Sequence, residues 1–271
     1  RDWTHGTWLM DIATGHPDPL RQWTATPAAA GAAAHQADIV FVQLPRQLGG
    51  QPVGGLLRAH VLDALRYIAS FAGPDSDVVV NLAYGGYGGP HDGRSVLEQA
   101  IDSLLAEVPN AGRFQVVLPA GNQRDGQLHA VAEVPAGGSA TFHWHNLPDD
   151  PSDSFVEIWL PMREGFDIRV RAPGMAEFSA TLQGGTATML QRQDCVAALV
   201  FARQACQSDL GAMALLAVAP TLRGTGRAVA PYGRWEIEVC NHHWQPRTVH
   251  AWCERDDPTP GSEGRIRQAR F

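Results

Sequence analysis

Two short apolar runs bracketing an amphipathic segment constrain this chain more than any other feature. The first, Val78-Val79-Val80, continues as Asn81-Leu82-Ala83-Tyr84 and breaks at Gly85-Gly86. The second, Phe114-Gln115-Val116-Val117-Leu118, continues as Pro119-Ala120-Gly121-Asn122. Between them Val96, Leu97, Ala100, Ile101, Leu104, Leu105 and Val108 fall on one face of a helix. Ser95, with Glu98 three residues on, has the spacing of a capping box. The unit reads strand, helix, strand. Apolar runs without alternation suit strands covered on both faces, hence a parallel sheet under helices. Sheets of that kind bind ligands at the carboxyl ends of their strands. Those ends here carry Gly85-Gly86 and Gly121-Asn122.

The pattern extends upstream. His5-Gly6-Thr7 opens an apolar helical run, and residues 37–44, with Ile39, Val40, Phe41 and Val42, read as a strand. Residues 54–71 read as a helix, with Leu56, Leu57, Val61, Leu62, Leu65 and Ile68 recurring at three to four residues. Gly73-Pro74 stops it. The first 122 residues therefore predict three helix–strand repeats of a doubly wound α/β sheet. After Asn122 the texture changes. Runs such as Thr141-Phe142-His143-Trp144-His145 and Trp235-Glu236-Ile237-Glu238-Val239 alternate, with Pro, Gly and Asp between them. Short alternating strands predict an antiparallel sandwich. The expected organisation is an α/β unit at 1–126, a β-sandwich at 127–254 and a polar tail at 255–271.

The chain is 44% hydrophobic, which suits a packed core rather than disorder. A net charge of −7 gives no nucleic-acid footprint, and Arg265, Arg267 and Arg270 are too few to supply one. No apolar run reaches membrane-spanning length. Arg1 already lies inside what reads as a motif, so the chain is expected to be a piece of a longer protein, and no targeting segment can be read. All four cysteines, Cys195, Cys206, Cys240 and Cys253, lie in the second half without a CxxC pair. Cys240 and Cys253 sit in neighbouring strand-like runs, as a disulfide or as two reduced core thiols.

Three pieces of the first half fall in a telling order: His5-Gly6-Thr7, then Asn81-Leu82-Ala83-Tyr84-Gly85-Gly86, then Pro119-Ala120-Gly121-Asn122. Together they resemble the subtilisin-like serine proteases over about residues 1–125. The resemblance implies a partial doubly wound subtilisin-like sheet followed by a jelly-roll-like insert. It implies that His5 is the general base for a serine nucleophile. It also implies that Asn122 donates its carboxamide to the oxyanion, a donor whose loss in that family costs about 10²–10³ in turnover. Ala83, Tyr84 and Gly85 are then expected to line the substrate cleft. Gly49 and Gly50 are expected on an extended edge where a peptide or protein substrate adds as a strand.

Departures from the family pattern bear on activity. No Asp-Ser/Thr-Gly motif precedes His5, no Gly-Thr-Ser-Met-Ala follows Asn122, and Ser262 lies in the polar tail. Trp8 stands where a second histidine is usual. Without nucleophile or orienting acid there is no covalent catalysis, so this chain by itself is expected to be inactive. A binding protein on a degenerate fold, or a carbohydrate- or protein-binding sandwich, are the competing readings. No cofactor is expected. His143 and His145, with His242, His243 and His250, lack zinc-finger spacing. Asp149, Asp150 and Asp153 offer a structural calcium site, but Pro148 and Pro151 favour a turn. Trp144, Trp159, Trp235, Trp244 and Trp252 are assigned to core packing rather than to a sugar platform.

Overall fold

A computed structural model describes residues 5–14, 37–44, 55–83, 85–161, 164–192, 194–202, 211–222, 229–254 and 268–271. The molecule is mostly β. Alternation after residue 126 does what it predicts: β3 (His129–Val134), β4 (Ser139–Asn146), β5 (Ser154–Leu160) and β6 (Phe166–Arg171) turn every second side chain inward. So do β9 (Ala212–Val218), β10 (Gly233–Asn241) and β11 (Arg247–Cys253). The hairpin β7 (Thr186–Arg192) and β8 (Asp194–Ala202) extends one edge. The strands form a three-stranded sheet, β4-β10-β6, and a six-stranded sheet, β3-β11-β5-β9-β8-β7, paired antiparallel throughout. Strands β3 to β6 pass alternately from one sheet to the other, so the two inner faces share one core.

That core joins Phe142, Trp144, Trp235, Ile237, Ile168 and Val170 of the smaller sheet to Ile158, Leu199, Leu216 and Val249 of the larger. Two indoles need polar partners inside it. Trp144 Nε1 donates to Cys253 Sγ at 3.3 Å, and Trp235 Nε1 to Asn146 Oδ1 at 3.3 Å. Cys240 and Cys253 are not bonded to each other. Cys240 points outward from the smaller sheet beside Glu238, whereas Cys253 is buried in the core, so the disulfide alternative is closed by geometry. The last residues lie against the sandwich: Arg270 bridges His145, Phe271 donates its N–H to the Gln127 carbonyl, and Ala269 is buried.

Upstream, α1 (His5–Thr14), α2 (Gly55–Ala69) and α3 (Val96–Glu107) form where helical periodicity places them. Ser95 caps α3: its hydroxyl accepts the Glu98 N–H, and the Glu98 carboxylate accepts the Ser95 N–H. β1 (Val78–Asn81) and β2 (Phe114–Val117) pair in parallel, Val78 opposite Phe114 and Asn81 opposite Val117. Val61 and Leu65 of α2 and Ile101 of α3 cover one face of this pair, over Val80 and Phe114.

The expected fold class needs correction. Among the described residues there is no parallel doubly wound sheet: β1–β2 is the only parallel pairing there, and the strands of both larger sheets are antiparallel. Residues 37–44 form no strand with any of the described residues, so no third strand of this sheet is seen there. Apolar β-branched content marks extended backbone, but a strand exists only where its N–H and C=O groups find partners. With two strands and helices on one side, the other face stays open: Val79 is 69% and Val117 52% exposed.

Candidate functional site

Parallel pairing places the carboxyl ends of β1 and β2 side by side, and Leu82 N–H closes the register on the Val117 carbonyl at 3.0 Å. Ala83 and Gly85 follow β1, both exposed. Gly85 lies beside the Pro119 ring. Gly121 and Asn122 follow β2, with Gly121 at φ 91°, a left-handed conformation glycine adopts without penalty. Asn122 is exposed, and among the described residues its carboxamide has no hydrogen-bond partner. The expected site residues Asn122, Ala83 and Gly85 are therefore together on one edge. His5 opens α1, but its side chain lies outside the described residues, as do Tyr84, Gly49 and Gly50.

One side chain ties the two post-strand loops together. The Tyr87 hydroxyl accepts the Asn122 backbone N–H at 2.9 Å. Its ring lies against Gly121, where an added Cβ would stand 3.0 Å from both a ring carbon and the phenolic oxygen. Gly121 is thus required twice, by its φ and by the phenol.

The sandwich in turn holds Tyr87. Glu157 projects from β5 and Glu254 follows β11, adjacent strands of the larger sheet. Glu254 accepts N–H bonds from Tyr87 at 3.4 Å and Gly88 at 3.1 Å. Glu157 accepts the Gly89 N–H at 2.7 Å and the Trp159 indole N–H at 2.9 Å. Three consecutive backbone amides form the kind of concave nest that captures anions, and two carboxylates of the same chain fill it. Burial, and then the neighbouring Glu157 charge, push the Glu254 carboxyl up from its ordinary value; the amide bonds act in the opposite sense. A side chain at Gly88 would collide with both carboxylates, its Cβ 2.7 Å from Glu157 Oε1.

Beside the nest, an aromatic stack completes the contact. His91 lies over the Trp252 indole, centroids 3.7 Å apart, and His129 stacks on the same indole at 3.8 Å. Such spacings leave room for one ring per face, so Trp252 sits between the two imidazoles. His91 Nε2 is 2.9 Å from the Tyr87 carbonyl, and His129 Nε2 is 3.0 Å from His250 Nδ1. Burial first, then the charges of His250 and His91, hold the His129 imidazole below its usual value.

Among the described residues the remaining histidines do not converge. His242 pairs with Asp167, and His143 and His145 project from β4 opposite Glu236 and Arg234. Among the described residues no group of three or more His, Cys, Asp or Glu side chains has metal-binding geometry. Asp150 is buried in a turn, where Oδ1 accepts both the N–H and the hydroxyl of Ser152, and burial raises its carboxyl. Trp144 and Trp235 are core residues, Trp159 is buried beside Glu157 on the other face of β5, Trp244 is 82% exposed and Trp252 is in the stack. No described helix is long and apolar enough to cross a membrane.

Sequence reasoning missed Tyr87, Glu157, Glu254 and the His91–Trp252–His129 stack. One signal was available: Gly85-Gly86-Tyr87-Gly88-Gly89 isolates a single bulky residue among four glycines.

No family model matches this chain, and no curated protein matches it. Membership of the subtilisin-like family, implied by three short motifs, is therefore not upheld. Among solved structures, the chain is similar to the Clostridium perfringens CspB protease, with a TM-score of 0.56 and 16% identity over 72% of this chain. The match spans 40% of that protein's chain, so this sequence corresponds to less than half of its length. At that identity the likeness is one of fold: the chain shares its architecture with part of a protease.

Proposed function

We propose that this chain supplies part of the site of a serine-type endopeptidase, with His5 as general base and Asn122 as oxyanion donor. The observation that carries the reading is the pairing of β1 with β2. It presents the unpartnered Asn122 carboxamide and the exposed backbone of Ala83 and Gly85 on the same edge. The fold shared with part of a protease supports it.

In this mechanism a serine hydroxyl attacks the scissile carbonyl after giving its proton to His5. The proton then passes to the leaving amine, and water releases the acyl group by the same steps in reverse. Negative charge develops on the carbonyl oxygen in the tetrahedral intermediate. A carboxamide donor aimed at that oxygen contributes most when its position is fixed before the reaction. Peptide or protein substrate would lie along Ala83 and Gly85, its backbone bonding to theirs. The serine and an acid orienting His5 must come from sequence outside the three motifs.

The test is fluorophosphonate labelling of the full-length protein beside its His5→Ala version. Labelling that is lost in the variant is the expected result. A folded full-length protein that takes no label, with any pro-segment removed, would overturn the reading and favour a binding role for the same fold.

A further inference from the structure

We infer that Tyr87 is a positioning residue for Asn122, and that Glu157 and Glu254 of the sandwich hold it in place. The inference rests on the proposed role of Asn122. A carboxamide on an exposed turn after a two-stranded sheet has no packing to fix it. Its main chain is fixed instead by the Tyr87 phenol, through the 2.9 Å bond to the Asn122 N–H and by filling the space beside Gly121. A tyrosine flanked by glycines has no local reason to hold one position. Two carboxylates from strands paired with each other supply that reason, accepting the N–H groups of Tyr87, Gly88 and Gly89. The path from sheet to carboxamide is continuous: Glu254 to the Tyr87 backbone, Tyr87 hydroxyl to the Asn122 backbone, Asn122 side chain to substrate. An oxyanion donor displaced by a fraction of an ångström loses its value in the transition state while leaving substrate binding intact.

The experiment is a double-mutant cycle on peptide hydrolysis by the full-length protein. Tyr87→Phe keeps the ring and removes the acceptor. Its kcat is expected to fall about 5- to 30-fold with KM within about twofold, the pattern of an interaction realised only in the transition state. Asn122→Ala is expected to lose about 10²–10³. Because Tyr87 acts through Asn122, the double variant should be no slower than Asn122→Ala alone. Glu254→Gln, which keeps one acceptor oxygen, should lose about two- to fivefold in kcat and nothing further in the Asn122→Ala background. It serves as the second probe if Tyr87→Phe does not fold. Unchanged kcat in these variants while Asn122→Ala is slow, or losses that multiply with Asn122→Ala, would overturn the positioning role and leave the peptidase reading standing. A fast Asn122→Ala enzyme would overturn the oxyanion assignment, and the positioning role with it.

Discussion

Gly88→Ala tests the joint between the two parts of the molecule. A methyl group at this position stands 2.7 Å from Glu157 Oε1 and 2.9 Å from Glu157 Cδ, and it collides with Glu254 Oε1 as well. Both carboxylates are ends of flexible side chains and can retreat, but only by giving up the amides they hold. The bonds at stake are those from Gly88 at 3.1 Å, Gly89 at 2.7 Å and Tyr87 at 3.4 Å. Hydrogen bonds to charged groups contribute about 1.5–3 kcal/mol each. Losing two good ones and keeping the weakest, with some water re-entering, puts the cost at about 3 kcal/mol. The sandwich core is untouched, because neither carboxylate belongs to it. The cost therefore falls on local opening of the 85–91 loop rather than on global unfolding. At 1.4 kcal/mol per tenfold, amide hydrogen exchange at Gly89 and Asn122 should accelerate by about 10²-fold. Amides in β5 and β10 should keep their rates. Unchanged exchange at Gly89 would refute the nest. So would a uniform acceleration across β5 and β10, since the substitution would then be acting on the whole fold.

Three further outcomes are expected. Trp235→Ala removes a fully buried indole and leaves Asn146 Oδ1 with one fewer donor, so urea unfolding of the sandwich should show a loss of about 3–5 kcal/mol. Ser95→Ala removes the acceptor for the Glu98 N–H and should cost about 1 kcal/mol, read as faster exchange in α3 with the sandwich unaffected. Burial holds the folded His129 imidazole below the ordinary histidine value of about 6.5, so just below that pH the unfolded chain binds more protons and stability rises with pH. Thermal melts of His129→Gln should lack this rise, by less than about 1 kcal/mol because the imidazole is partly solvated. Glu254, shifted upward, contributes in the opposite sense and loses stability as pH climbs through its own raised value.

Local patterns with local causes were legible in the chain. The apolar face of α3 and its Ser95/Glu98 box act within one helix: the box forms, and Leu97, Ile101, Leu104, Leu105 and Val108 pack into one cluster, while Val96 in the first turn stays 67% exposed. Alternation along β4 and β10 required no knowledge of partners, because burial on one face alone produces it. Residues 37–44 show where that logic stops: the same β-branched texture forms no strand with the described residues, because pairing depends on chain that must lie alongside. The candidate site divides in the same way. Asn122 was singled out through the resemblance carried by Pro119-Ala120-Gly121-Asn122, a local motif at the end of a strand, and it follows β2 in the structure. Glu254 was not, because its partner Tyr87 lies 167 residues away and nothing near Cys253-Glu254 marks the carboxylate as an acceptor for glycine amides. Two glutamates on strands paired only in the folded sheet have no shared signature in one dimension.

The contrast between the two parts explains why such a joint belongs where it is. The sandwich closes an extensive core from both sheets, including Trp144, Trp235, Ile158, Leu199 and Phe201. The α/β part among the described residues closes over a smaller buried cluster, Val61, Leu65, Val80, Ile101, Val108 and Phe114, with only partly buried side chains around it and Val79 and Val117 exposed on the other sheet face. Burial of apolar area is the main source of rigidity, so the smaller core leaves its loops at the low-stability end of the molecule. The exposed Asn122 turn lies in that part and needs a fixed reference. The outer face of the larger sheet offers one at its β11–β5 strands, where Glu157, Trp252 and Glu254 replace aliphatic side chains with groups that can hold backbone amides and a stacked imidazole. A carboxylate pair is costly to bury unless its oxygens find donors. Here the amides of residues 87–89 are those donors. The pair is therefore best understood through the loop it grips: replacing both glutamates with leucine should free the loop that carries Tyr87, and it should cost the sandwich about 1–3 kcal/mol only through the Trp159 indole N–H left without its acceptor.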